Sequence, residues 1–197
     1  MNEQDVMTWL KENKPYVYYM KIACDDFLAK KNIRELGKIF SEVNEYVHKD
    51  WINKNTKLKV VRNDDYNDNI VGFDYDLITK DGVLRIQSKI RYNRMYIEQT
   101  RRPSAGNALN NRSSSGYVRY AVGECDVFLF SRPNSVENYL DINSWEIIAI
   151  PEYELIDPKN TSFLRAQIPK NIYKKYSGKA KEVLESAYLL KKRSIKN

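Results

Sequence analysis

The spacing of apolar residues along this chain changes from three-and-four to two near Lys57. Upstream, Ile33, Leu36, Phe40, Val43, Val47 and Trp51 form one stripe at helical spacing, with Lys, Glu and Asn opposite. That pattern predicts an amphipathic helix with its apolar side on a core and its other side in water. Met7 to Leu10 predicts a short helical turn, and Tyr16 to Leu28 a further helix with Pro15 tolerated in its first turn. Downstream, Leu58, Val60 and Val61 read as a strand and Asn63 to Asn69 as a polar turn. Phe73, Tyr75 and Leu77 then alternate with polar residues. After Lys80-Asp81-Gly82 the alternation resumes, with Leu84, Ile86, Ser88 and Ile90 on one face and Arg85, Gln87, Lys89 and Arg91 on the other. An Asp-Gly pair between two such runs is a strong hairpin signal, so residues 71 to 90 are expected as a β-hairpin. Asp126 to Phe130 and Trp145 to Ile150 predict two further core strands. Asn171 to Leu190 predicts one amphipathic basic helix.

These elements compose an α/β fold, a mixed central β-sheet flanked by helices. A single domain is expected over 1–197, with a mainly helical part at 1–56, the sheet and a basic loop at 57–155, and a helical C-terminal part at 156–197. A chain of 197 residues, 42% apolar and 30% charged, builds a real core, which excludes a disordered segment or an integral membrane protein. Its longest uncharged apolar stretches, such as Val127 to Phe130, fall far below the ~20 residues a membrane helix needs. The opening Asn2-Glu3-Gln4-Asp5 is not the basic-then-apolar run of a secretory signal. Cys24 and Cys125 lack metal-ligand spacing, and both read as reduced core residues of a cytoplasmic protein.

Charge changes the picture more. The formal net charge is +7, from 33 basic and 26 acidic residues. Arg85, Lys89, Arg91, Arg94, Arg101, Arg102, Arg112 and Arg119 lie between residues 85 and 120 against a single acid, Glu98, so that stretch holds the whole excess. Most of it is arginine, whose planar fork suits phosphate and guanine, and a polyanion partner is the natural reading. The plainer reading is a solvated basic face. Pro103, Gly106, Ser113-Ser114-Ser115 and Gly116 mark Asn93 to Tyr120 as a long loop.

A two-residue turn at Asp81-Gly82 would set Asp76 opposite Gln87 and Asp74 opposite Lys89, all four on the polar face of the hairpin. A carboxylate and an amide oxygen at cross-strand separation can both ligate a hard cation such as Mg2+, and a nearby lysine can meet the charge of a phosphate in its transition state. The run Gly72-Phe73-Asp74-Tyr75-Asp76-Leu77-Ile78, followed by Arg85-Ile86-Gln87-Ser88-Lys89, resembles the PD-(D/E)xK nuclease superfamily, which includes type II restriction endonucleases, some homing endonucleases and Holliday-junction resolvases. Cys125 to Phe128 and Trp145 to Pro151 look like the later core strands of that fold. The resemblance implies a restriction-endonuclease-like fold and a Mg2+-dependent DNA endonuclease. A type II restriction enzyme is expected first, acting on double-stranded DNA as a homodimer. Asp76, followed by Leu77 and Ile78, matches the family Asp, and Lys89 the catalytic lysine. Gln87 stands where Glu or Asp is usual, a departure that some restriction and homing enzymes share. By the same resemblance Asp76, Gln87 and Ser88 are the expected metal ligands. The downstream Arg91, Arg94, Arg101, Arg102, Arg112 and Arg119 are the expected DNA contacts. The alternatives are a homing or junction-resolving nuclease of the same fold, or a non-catalytic DNA-binding regulator. The same hairpin also has a purely structural reading, in which Asp74–Lys89 and Asp76–Arg85 are cross-strand ion pairs.

Other signals are weaker. Glu12-Asn13-Lys14 and Asp157-Pro158-Lys159 also satisfy acid-x-Lys, but neither is expected in a strand. Glu42 and Glu45 fall away from the apolar stripe at 100° per residue, so neither is assigned to the site. Asp64, Asp65 and Asp68 suggest a calcium loop, but Ile70 stands where an EF-hand needs Gly. His48, the single histidine, lies beside the stripe and reads as a helix-surface residue rather than a base. Asn32 to Lys49 is more simply a packing helix than a helix-turn-helix. Tyr92, Tyr96, Tyr117 and Tyr120 interleave with the arginines, as bases to be stacked or sheet edges to be covered would both require.

Overall fold

The helix expected from Ile33 forms, and it runs further than its apolar stripe. The computed structural model describes residues 3–13, 18, 33–62, 74–79, 82–91, 97, 120–133 and 142–186. In it α1 covers Glu3–Asn13 and α2 covers Ile33–Asn55. Phe40, Val43 and Val47 of α2 are buried with Val6 and Leu10 of α1, and with Ile90 and Trp145 from the sheet. Each such side chain contributes about 1.5–3 kcal/mol on burial. Trp9 stacks on Tyr46 at 5.1 Å, and Phe40 meets Trp145 edge-on at 5.8 Å, which fixes α1 on α2 and α2 on the sheet. The helix expected over 16–28 lies outside the described residues apart from Tyr18.

Five strands follow, β1 (Lys59–Arg62), β2 (Tyr75–Thr79), β3 (Gly82–Ile90), β4 (Val127–Arg132) and β5 (Glu146–Pro151), in the spatial order β1-β2-β3-β4-β5. β1, β2 and β3 pair antiparallel, β3 and β4 parallel, and β4 and β5 antiparallel, so the sheet is mixed. Tyr75, Leu77, Leu84, Ile86 and Ile90 are buried, as the period of two requires. Val127 to Phe130 are buried without alternation, because β4 is covered on both faces. The sheet thus has a helical layer, α1 and α2, on one side. On the other lies a C-terminal unit consisting of the hairpin β6–β7 (Ile156–Asp157 and Asn160–Leu164), α3 (Lys170–Tyr176) and a helical turn at 180–186. This unit buries Leu164, Ile168, Ile172, Tyr176, Val183 and Leu184 in the main core. α3 is also latched to the sheet edge: Tyr173 and Ser177 donate their hydroxyls to the two oxygens of Glu146, and Arg132 lies over the Tyr173 ring.

Three expectations are corrected. The hairpin closes with Thr79 paired to Gly82, Leu77 to Leu84 and Tyr75 to Ile86, which sets Asp76 opposite Arg85, not Gln87. A slip of two residues returns every side chain to the same face, so the hydrophobic pattern is blind to it; the observed register gains the pairs Leu77–Leu84 and Asp76–Arg85. Asp157 lies in a strand after all. It ends β6, and its carboxylate accepts the Lys159 N–H at 2.9 Å to make the turn into β7. Finally, the C-terminal helix is two helices. Gly178 adopts φ +72° and ends α3, with Ser177 N–H still bonded to Tyr173 O, before residues 180–186 turn helical again.

A Cβ at Gly178 would meet no atom within 4 Å, so its substitution isolates the backbone term. Gly178→Ala is expected to cost about 1 kcal/mol, and Gly178→Asn less, in urea unfolding. Equal stability of all three would place the chain break elsewhere.

Candidate functional site

The polar face of the hairpin converges where β2 leaves β3. Asp74 precedes β2 and still joins the ladder through its N–H, which donates to Ile86 O at 2.9 Å. Its carboxylate then does the work of the next carbonyl: Asp74 Oδ2 accepts the Ser88 N–H at 2.6 Å. The same oxygen accepts Gln87 Nε2 at 2.5 Å. Gln87 is 5% exposed, and its amide also approaches Ser88 O at 3.4 Å. The strand thus ends on a carboxylate held by two donors, with a buried amide against it. Lys89, two residues on and on the same face, is half-buried with Nζ 5.2 Å from the centre of the Tyr120 ring. Tyr120 in turn packs edge-on against Phe128 at 5.1 Å, so the ring that carries the lysine is itself fixed to β4.

Of the residues expected in the site, Gln87 and Lys89 therefore share one face with Asp74, and Asp76 stands one pair further along, opposite Arg85. The Ser88 side chain points the other way, into the helical layer. Arg91 is half-buried: its N–H donates to Ser131 O, and its guanidinium to the adjacent Ile90 O. Arg94, Arg101, Arg102, Arg112 and Arg119 lie outside the described residues. Two described positions in that stretch are anchored on the C-terminal unit, Ile97 N–H donating to Ala166 O at 3.1 Å and Tyr120 O accepting the Leu164 N–H at 2.9 Å. Among the described residues no group of three or more His, Cys, Asp or Glu is gathered as a metal cluster. None of their helices is long and apolar enough to cross a membrane.

Two residues escaped the sequence reading. His48 is not on the helix surface: it is 0% exposed, with Nδ1 2.8 Å from Ser88 Oγ and Nε2 2.8 Å from Ser131 Oγ. Asn44 Nδ2, one turn earlier, donates to Ser88 Oγ at 2.6 Å. Assigning the one proton of Ser88 to Nδ1 puts the ring's own proton on Nε2, where it donates to Ser131; the chain is complete with a neutral imidazole. Burial pushes the His48 pKa down to about 3. The hint in the sequence was Ser88, a hydroxyl in an otherwise apolar strand face that needed a partner. The second is Glu45. Buried Asn44 and His48 widen the inward arc of α2 well past its apolar stripe, and Glu45 lies on the rim of that arc, in a cleft of about 90 Å3 lined by Trp9, Asn13, Tyr46, Lys49, Val60 and Tyr75. Burial raises the Tyr75 pKa well above its ordinary value, and the charges of Asp74 and Glu45 add to it. Cys125 is buried as expected, and burial raises its thiol pKa, with the Lys89 charge acting the other way.

No family model, no curated protein and no solved structure matches this chain.

The buried imidazole makes stability depend on pH. Below the ordinary histidine pKa of 6.5 the unfolded chain takes up a proton that the folded chain refuses until about pH 3. Stability from this group is therefore full above pH 6.5 and falls by about 1.4 kcal/mol per pH unit across that window. His48→Leu should lose this component while costing about 1–3 kcal/mol at pH 7, because the Ser88 hydroxyl proton loses its acceptor and Ser131 loses its bond to the ring. Urea unfolding of both proteins at pH 7, 5.5 and 4 checks it; parallel pH profiles would mean that His48 does not stay neutral.

Proposed function

We propose that this protein is a Mg2+-dependent endonuclease of the restriction-endonuclease-like kind. It cuts double-stranded DNA as a homodimer, with two-fold symmetry presenting one active site to each strand. The observation that carries the reading is the meeting of Asp74 and Gln87 at 2.5 Å just before β2 begins, with Lys89 next on the same face. A mixed sheet in which β4 and β5 arise from the two later strand sequences gives it further support.

Asp74, not Asp76, is the acid this geometry favours. It is the carboxylate opposite the amide, whereas Asp76 has Arg85 as its cross-strand neighbour. The oxygens of Asp74, the Gln87 amide and the Ser88 carbonyl fit Mg2+, a hard cation that takes oxygen donors and retains several waters. They carry one formal negative charge among them, so binding is weak. The Gln87 amide now turns its NH2 to Asp74, and it must rotate to offer its oxygen. Bound there, Mg2+ supplies Lewis-acid polarisation of a phosphate oxygen. Lys89 sets a fixed cation beside the phosphate, where negative charge grows in the transition state, and the Tyr120 ring keeps its ammonium from swinging into solvent.

Asp74→Ala is expected to abolish plasmid cleavage with duplex binding retained, and Asp76→Ala to leave cleavage measurable; the opposite result returns the role to Asp76. Lys89→Ala should lower kcat at least ~100-fold with unchanged unfolding. Gln87→Glu should reduce the Mg2+ concentration for half-maximal cleavage, since a carboxylate holds the ion more tightly than an amide. Duplex binding by the wild-type protein with no cleavage at any Mg2+ concentration would favour the regulator instead.

A further inference from the structure

The overall charge balance outside residues 85–120 conceals a second segregation. From Pro158 to Lys181 the chain carries Lys159, Arg165, Lys170, Lys174, Lys175, Lys179 and Lys181 and not one acid. This stretch lies within the C-terminal unit, whose acids Asp157, Glu182 and Glu185 fall at its two ends, and its six lysines are all exposed. Among the described residues, only Lys175 of the seven makes an ion pair, with Glu154 at 2.6 Å. Lys170 and Lys174, one turn apart, share a face of α3, while Ile172 and Tyr176 fill the core side. Lys179 and Lys181 follow directly after the Gly178 turn.

We propose that this lysine face is a second contact for the phosphate backbone of double-stranded DNA, carrying the footprint of the active-site face onto the C-terminal unit. The proposal rests on the nuclease reading for its choice of partner. Three observations support it. The first is continuity: β7 bonds through Leu164 to Tyr120, the residue under the Lys89 ammonium, and Ala166 bonds to Ile97, so Arg165 sits at the seam between the two basic stretches. Arg165 is itself held in place there, its Nε donating to Ile156 O at 3.2 Å. The second is residue type. Lysines meet phosphate as point charges and lack the planar fork that reads a base, which suits positioning rather than sequence recognition. The third is what the face lacks. The exposed residues between the lysines, Asn160, Thr161, Gln167, Asn171 and Ser177, are polar, and a single exposed ring, Tyr153 beside Lys179, is less than the broad apolar side that inserts into a bilayer.

The test is binding of a random-sequence duplex, followed by fluorescence anisotropy across a salt series in EDTA. It compares the full-length protein with a variant carrying Lys170→Gln, Lys174→Gln, Lys179→Gln and Lys181→Gln, and with a control carrying Arg at the same four positions. The glutamine variant should bind at least ~10-fold more weakly at low salt. Its slope of log affinity on log salt should flatten by about 0.9 for each phosphate no longer neutralised, and the arginine control should keep the wild-type slope. Plasmid cleavage by the wild-type protein is scored separately. If the wild type binds duplex and the glutamine variant binds with the same affinity and slope, the lysine face is overturned and the nuclease reading stands. If the slope flattens but no Mg2+ concentration gives cleavage, the face stands and the nuclease reading falls. No duplex binding by the wild type overturns both. Loss of sedimentation with phosphatidylserine vesicles, without loss of DNA binding, would overturn the proposal in favour of a membrane partner.

Discussion

His48 lies without exposure between Ser88 on β3 and Ser131 on β4, so a single side chain of α2 spans the parallel strand pair at the centre of the sheet. Apolar packing alone sets such a helix loosely, because a stripe of Phe40, Val43 and Val47 retains much of its burial when it slides. A hydrogen-bonded imidazole does not slide, since each displaced bond leaves a buried hydroxyl unsatisfied. The pin also acts through the sheet. Ser88 is flanked in sequence by Gln87 and Lys89, whose side chains project to the opposite face, so the helical layer sets the position of the polar residues from behind.

Asp74 shows how a strand end can fix a carboxylate in place. Beyond Ile86 the ladder would leave the Ser88 N–H without a carbonyl acceptor, and the Asp74 carboxylate takes it instead. A carboxylate recruited this way is fixed by the backbone and held at a known place relative to Gln87 and Lys89. One residue thus closes the ladder and carries the carboxylate that the proposed site needs. That is why the acid favoured here is the one nearer the strand end, although the residues after Asp76 give it the closer sequence resemblance.

The faces of the hairpin were legible because period two depends only on which residues are apolar, and Tyr75, Leu77, Leu84, Ile86 and Ile90 are. The register was not, since a slip of two preserves every face and the decision falls to particular pairs such as Leu77–Leu84. α2 was readable from its stripe, but the stripe understated the buried arc: Asn44 and His48 are inward-facing and polar, and polarity alone hides them from any hydrophobic pattern. Glu45 was misplaced for the same reason. β6–β7 went unseen because Asp157-Pro158-Lys159 carries its turn signal in a side-chain hydrogen bond, between a two-residue strand and one, Asn160–Leu164, that is exposed over most of its length and so shows no apolar period.

The two backbone bonds that tie Ile97 and Tyr120 to β7 give the order of synthesis a consequence. Their partners, Ala166 and Leu164, are made some forty residues or more after the positions they anchor. A chain emerging from the ribosome has α1, α2 and the β1–β3 meander in hand before this anchorage can form. The backbone of Tyr120, whose ring lies beneath Lys89, is therefore anchored to β7 only after Leu164 has been made. The carboxylate, amide and lysine come with the hairpin, and the support under the lysine arrives later.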